Sequence, residues 1–287
     1  MGEVLFCIYG ICMRTILLIW VLFCFTVCNV FAQHEADNWY FGFNAGLSFK
    51  NGVPALLNDG QTETFEGCAT ISDKRTGALL FYTDGVKVWN RKHQIMKNGT
   101  GLKGGPSSSQ SALIVPNPGD SLQYYIFTAP DLTGGGTSGP YAFFYSLVSL
   151  ENPEGEVVSK NNLLIDNVSE KLTGTLDCSG KGFWVITSHV SEEIFYSYHV
   201  TSAGVNATPI ISKFNHPIVN PSAGGMKISP NRTKLAVAHA FNSPCVVLLD
   251  FNAETGAVTN YKPLTEGLNF YSASFVSFSP DNSKFPI

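Results

Sequence analysis

Apolar residues in this chain come in short runs separated by tight polar turns, and the runs follow one another with a common plan. The runs "ALLFYT" (78–83), "LQYYIFT" (122–128), "FWVITS" (183–188) and "KLAVAHA" (234–240) are apolar almost without alternation. Such runs are the mark of strands covered on both faces. Each is preceded by a turn, near 73–77, 117–120, 178–182 and 229–233, and a further turn falls near 279–282. Each turn in its own right follows another short strand, as in "GCATISD", "SALIVPN" and "GMKISPN".

Further strands complete the units. After "ALLFYT" the dipeptide Asp84-Gly85 predicts a two-residue hairpin leading into Val86–Asn90, since both central positions of such a turn favour positive φ. In the second unit a third strand, "YAFFYSLVS", follows the glycine-rich loop Gly134–Gly136. In the fourth unit a strand follows Glu254-Thr255-Gly256. The period is roughly 40–60 residues with about four strands in each unit, which is the signature of propeller blades. A single four-stranded sheet that is apolar on both faces cannot bury them alone, whereas stacked sheets can. A β-sandwich also uses short strands and frequent turns, but nothing in it requires the same turn and second strand to recur through five units.

The expected fold is therefore an all-β propeller of four-stranded blades, incomplete, with about four blades and the start of a fifth. Residues 64–287 hold the blades. Residues 33–63 form an N-terminal segment in which Trp39–Phe49 reads as one strand that would close the ring against sequence beyond Ile287. The fifth unit, "ASFVSFSPDNSKF", reaches its turn shortly before that residue, and the pattern predicts a ring truncated at the C-terminus.

The first 32 residues differ in kind. "MRTILLIWVLFCFTVCNVFAQ" has one Arg at its start, a long apolar run, and Val30-Phe31-Ala32 at its end. This predicts a secretory signal peptide over 1–32 with the start codon at Met13. The expected product is secreted or outer-surface protein with no stable membrane span after cleavage. Four of the seven cysteines (Cys7, Cys12, Cys24 and Cys28) lie in this segment. Cys68, Cys178 and Cys245 remain, too few and too widely spaced for a disulfide framework. Cys68 and Cys245 read as small buried residues of strands.

Composition agrees with short strands and tight turns: charged residues are 14%, aromatics 13%, with 27 Gly and 15 Pro. The net charge is −4 and no Lys/Arg cluster occurs, so no nucleic-acid partner is expected.

The stretches "NWYFGFNAGLSF", "GCATISD", "LLFYTDGVKVWN", "HQIMKNGTGL" and "SSSQSALIVPNPGDSLQYYIFT" together resemble the WD-repeat-like N-terminal propeller regions of large secreted Bacteroidetes surface proteins. Residues 38–128 carry the resemblance, and the repeat pattern extends it to Phe285. In that family PKD modules and a gliding-motility-associated C-terminal sorting domain follow the propeller, and the pattern predicts that this sequence stops short of them. The resemblance implies export through type IX secretion, a place at the cell surface, and an adhesion or binding role without an assigned catalytic residue.

Chemical motifs are scarce. There is no GxSxG nucleophile elbow and no phosphate loop, and "GGPSSSQS" (104–111) reads as an exposed polar loop. Asp84, Asp131, His189 and His239 each stand at or just after the end of a second strand. If the blades are equivalent, these four converge on one rim and form a candidate ligand or metal site. Polar residues also end strands simply because turns are wet. No cofactor is expected; calcium or another divalent metal is the ion that such a rim would take. Trp89 and Trp184 read as core, while Trp39 is a candidate for stacking on a sugar ring.

Two functions follow. The first is a non-enzymatic binding or adhesion module that presents loops to an extracellular protein or glycan. The alternative is a metal-dependent hydrolase, lyase or lactonase with its site at the rim.

Overall fold

The computed structural model describes residues 34–132, 141–217, 223–240, 244–265 and 272–284. The expected signal peptide, the loop Gly134–Gly136 and Phe285 lie outside these. The described residues are all-β and contain no α-helix.

A three-stranded sheet opens the chain, with β1 (Asn38–Phe41), β2 (Ala45–Ser48) and β3 (Ala55–Leu57). Trp39–Phe49 is thus two strands and not the single strand expected. The chain reverses at Gly42-Phe43-Asn44, where Gly42 and Asn44 take φ of 57° each. Glycine and asparagine are the residues that enter this region at least cost.

Four antiparallel units follow, three of four strands and one of five. The first has β4 (Ala69–Ser72), β5 (Leu79–Thr83), β6 (Lys87–Asn90) and β7 (Ile95–Thr100). The second has β8 (Ala112–Pro116), β9 (Gln123–Thr128), β10 (Phe143–Ser149) and β11 (Glu156–Ile165). The third has β12 (Val168–Leu176), β13 (Phe183–His189) and β14 (Glu192–Thr201), with both β15 (Gly204–Val205) and β16 (Ile210–Pro217) paired to β14. The fourth has β17 (Met226–Ile228), β18 (Lys234–Ala238), β19 (Val246–Phe251) and β20 (Val258–Pro263). A single parallel pairing, Glu156 with Lys97, joins the outer strands of the first two units. Residues 272–284 carry no strand.

The repeating turn is chemically the same each time. The amide nitrogens of Asp73, Asn117, Asp177, Ser229 and Ser279 donate to the carbonyls of Ala78, Gln123, Gly182, Lys234 and Lys284, at 2.8–2.9 Å. Each of the five side chains then accepts from turn amides that would otherwise lack a partner, as Asp73 does from Arg75 and Thr76. Ser229 does the same for Thr233 and Lys234. Short oxygen-bearing side chains favour this geometry. The fifth turn, around Ser279, is therefore formed although no strand follows it among the described residues.

The second strands show why the units stack. Side chains on a strand alternate between faces. Tyr82 of β5 packs back on Tyr40 of the first sheet, and its neighbour Phe81 packs forward with Ile126 of β9. Tyr125 and Phe127, on the other face of β9, pack with Val185 of β13. Trp184 and Ile186 face onward to Leu235 and Val237 of β18. Ala236 and Ala238, on the far face of β18, meet Ala273 and Val276. Five apolar seams thus run in chain order, four between one unit and the next and the fifth between the fourth unit and residues 272–284. Every fully buried aromatic in them contributes about 1.5–3 kcal/mol. This is a propeller-like arrangement, and the expectation that each sheet would be apolar on both faces holds. Trp89 and Trp184 are buried in it, as expected.

Two local expectations fail. Asp84-Gly85 is not a two-residue hairpin: Thr83 pairs with Val88, so four residues make the connection, and only Gly85 of the two has positive φ. Asp84 instead accepts the amides of Val86 and Lys87 at 2.9 and 2.7 Å. A carboxylate that can cap two amides stabilises the wider turn. The loop 104–111 is not solvent-exposed either, since Ser108, Ser109 and Ser111 are buried.

Candidate functional site: a buried polar hub and an exposed aromatic face

Strand register tells which rim residues are equivalent. The inner-strand residues Ile71, Val115, Thr175 and Lys227, each two before its turn residue, pair with Phe81, Tyr125, Trp184 and Ala236. Three positions beyond these partners stand Asp84, Thr128, Thr187 and His239, all buried. Asp84 and His239 are thus at matching places in their units. Asp131 lies three residues past that place and His189 two past it.

The four candidate residues have different surroundings. Asp84 caps its own turn, and burial raises its carboxyl above the usual range. It also stands near Cys68, whose thiol is pushed up to about 11 by burial first and by the Asp84 charge second. Cys68 is half-buried immediately before β4, and Cys245 is buried immediately before β19. Asp131 accepts the amide of Ser107 at 3.3 Å. His189 is half-buried, and its Nδ1 accepts the amide of Ser191 at 3.2 Å. His239 is 2% exposed, with Nε2 2.9 Å from Oε1 of the equally buried Glu193. Among the described residues, no three His, Cys, Asp or Glu side chains come together as metal ligands would.

His239 belongs to a buried polar hub that the sequence does not announce. Glu170 and Lys171 at the start of β12 are both completely buried, as Glu193 of β14 nearly is. Burial drives the Lys171 ammonium down to about 7, against the opposing pull of Glu193 and Glu170. Burial also lowers His239 and raises Glu170. Glu170 is held by the amide and hydroxyl of Ser109 and the amide of Leu132, at 2.8–2.9 Å. Gln110 completes the hub: its Oε1 accepts from Leu172 and Met226, and its Nε2 donates to the Met226 carbonyl. Three units meet at that one side chain. The hub can hold protons near neutral pH, but its charged groups have no surface from which to reach a substrate.

The exposed chemistry lies elsewhere. On the first sheet, Tyr40 and Leu57 point toward Tyr82 and Trp89. The opposite face carries Trp39, Phe41 and Leu56, all exposed; Trp39 pairs with Leu47, and Leu47 pairs with Leu56, so they form one row. Trp39 is 49% exposed, yet its indole N–H donates to the Ala36 carbonyl at 2.8 Å and its ring leans on Phe49. Beyond the hairpin, the exposed rings of Phe43 and Phe65 meet edge to face at 5.2 Å. Sequence reasoning singled out Trp39 but not Phe41, Phe43 or Phe65. Alternation within "NWYFGF" is the signal available for Phe41 and Phe43; Phe65 has no such signal.

No family model matches the chain, and no curated protein does. Solved structures similar to it include a candidate 6-phosphogluconolactonase from Bacteroides fragilis, 12% identical, with a TM-score of 0.41 and coverage of 88% of this chain and 73% of that one. The dihydro-heme d1 dehydrogenase NirN is 10% identical with a TM-score of 0.33, covering 88% and 66%. The Dos1 propeller is 10% identical with a TM-score of 0.28, covering 78% of each. At these values nothing about activity or ligand passes to this chain. The class that its own seams and register define is an all-β, propeller-like protein.

Proposed function

We propose that this chain is the propeller region of an exported, non-enzymatic binding protein, and that the outer face of its first sheet contacts an extracellular protein or glycan. The observation that supports the reading is Trp39. A large ring is held out of the core, fixed by a hydrogen bond and braced by Phe49, beside Phe41 and Leu56. A ring already fixed in position loses little freedom on binding, and aromatic faces stack on sugar rings and on apolar protein surfaces alike. The apolar leader over 1–32 and the resemblance to secreted Bacteroidetes surface proteins support export and a place at the cell surface.

The test is a glycan-array and cell-surface binding screen with the chain and with Trp39→Ala/Phe41→Ala. Binding that the double variant loses, with its melting temperature unchanged, supports the reading. Stoichiometric metal together with lactone, ester or glycoside cleavage would replace it with the hydrolase alternative.

A further inference from the structure

A second surface has the features of a ligand site and is unrelated to the aromatic face. Between the third and fourth units lies an open cleft of about 520 Å³. That volume is in the range of small-molecule sites. Its lining is contributed by Thr175 and Leu176 of β12, Lys227 of β17, Ser229 and Arg232 of the turn, and Phe278. Two of these are cationic, and no Asp or Glu lines the cleft, although the chain as a whole carries a charge of −4.

The two cations are placed differently. Arg232 is anchored: Nη1 donates to the Asp177 carbonyl at 2.8 Å, which fixes the guanidinium in the cleft wall. The nearby Asp177 carboxylate is already engaged by the Ser179 hydroxyl, the His199 ring and the Lys181 amide. Lys227 is exposed and stands on the inner strand at the position that Thr175 holds in the preceding unit. The apolar walls from Leu176 and Phe278 lower the local dielectric, which strengthens attraction for a counter-charge. The Thr175 hydroxyl and a guanidinium fork are suited to the oxygens of a planar or tetrahedral anion.

We infer that the cleft between β12 and β17 binds a small ligand bearing an oxyanion, a carboxylate, sulfate or phosphate, held between Lys227 and Arg232.

The experiment titrates the chain with sodium sulfate, sodium phosphate and glucuronate at fixed ionic strength, following amide resonances by NMR. Saturable shifts at Lys227, Ser229 and Arg232 are expected, with at least a tenfold loss of affinity in Lys227→Glu. Lys227 is exposed, and among the described residues its side chain makes no hydrogen bond or ion pair, so that variant should fold normally, and its melting temperature checks this. Arg232→Lys keeps the charge but not the fork, and should weaken binding less. Sulfate and phosphate binding as tightly as glucuronate marks a site for free inorganic anions, whereas tighter glucuronate marks one for acidic sugars; either supports the inference. No saturable shift at these residues up to about 50 mM, where binding energy falls below about 2 kcal/mol, overturns it. So does binding that Lys227→Glu leaves unchanged.

Discussion

Oε1 of Gln110 accepts the backbone N–H of Met226 at 2.8 Å, across 116 positions of sequence. The same oxygen accepts from Leu172 at 3.0 Å, so one amide side chain joins the second, third and fourth units. Gln110→Ala would leave two amides and the Met226 carbonyl without this partner. Each amide so stranded costs about 1–3 kcal/mol. We expect a loss of about 2–5 kcal/mol in urea unfolding, with the transition remaining single. A change under 0.5 kcal/mol would show that water replaces the side chain without penalty.

Lys171 should contribute stability that rises with pH from neutral upward. Its folded value near 7 lies below the ordinary value of 10.5, so between these the unfolded chain binds more protons. The penalty for burying the ammonium is full below about 7 and gone above the ordinary lysine range. His239, also lowered, acts in the same direction at lower pH: its contribution is present above the ordinary histidine range and is lost as pH falls through its folded value. Glu193 faces both groups, and Glu170 adjoins Lys171. Thermal melts from pH 5 to about 8.5 should show the midpoint climbing, and Lys171→Met should flatten the climb above pH 7. The raised Cys68 thiol and buried tyrosines oppose the climb at the alkaline end, so the contradiction would be a wild-type midpoint that changes from pH 7 to about 8.5 just as that of Lys171→Met does.

How much of this was legible beforehand differs by element. The second strands and the turns at Asp73, Asn117, Asp177 and Ser229 could be read, because continuous apolar runs and oxygen-bearing turn residues are local signals. The hub could not. "SSSQS" has the composition of a wet loop, and its burial is set by Glu170 and Met226, which lie far away in sequence. In sequence the four rim residues align by where apolar runs end. Register follows hydrogen bonding instead, and it places Asp131 and His189 beyond the position shared by Asp84 and His239. The reversal inside Trp39–Phe49 was missed because a single Gly–Phe–Asn step breaks the chain while the apolar spacing continues through it.

Gly256 should tolerate no side chain. It takes φ of 76°, and a Cβ there would stand 2.5 Å from Cζ3 of Trp184. The indole cannot step aside, because its N–H donates to Ala253 and its ring stacks on His199 at 4.2 Å. Gly256→Ala combines backbone strain with overpacking and should cost about 2–4 kcal/mol. The urea midpoint should fall and the near-ultraviolet signal of Trp184 should change with it. An unchanged midpoint would mean that the turn at 252–257 yields more easily than its hydrogen bonds suggest.

Tyr40 and Trp39 are adjacent on β1, and their substitutions should separate stability from binding. Tyr40 is 4% exposed, stacks on Tyr82 with centroids 4.6 Å apart, and donates its hydroxyl to Asp59 at 2.9 Å. Removing that ring opens the seam between the first sheet and β5, and Tyr40→Ala should cost about 3–5 kcal/mol. Trp39 faces the other way, and Trp39→Ala gives up the brace on Phe49 and one hydrogen bond, about 1 kcal/mol in all. If the exposed face is a binding surface, Trp39→Ala loses ligand while melting near the wild-type temperature, and Tyr40→Ala melts early. A Trp39→Ala variant that unfolds as readily as Tyr40→Ala would mean that the indole supports the sheet, and the binding role would then pass to Phe43 and Phe65.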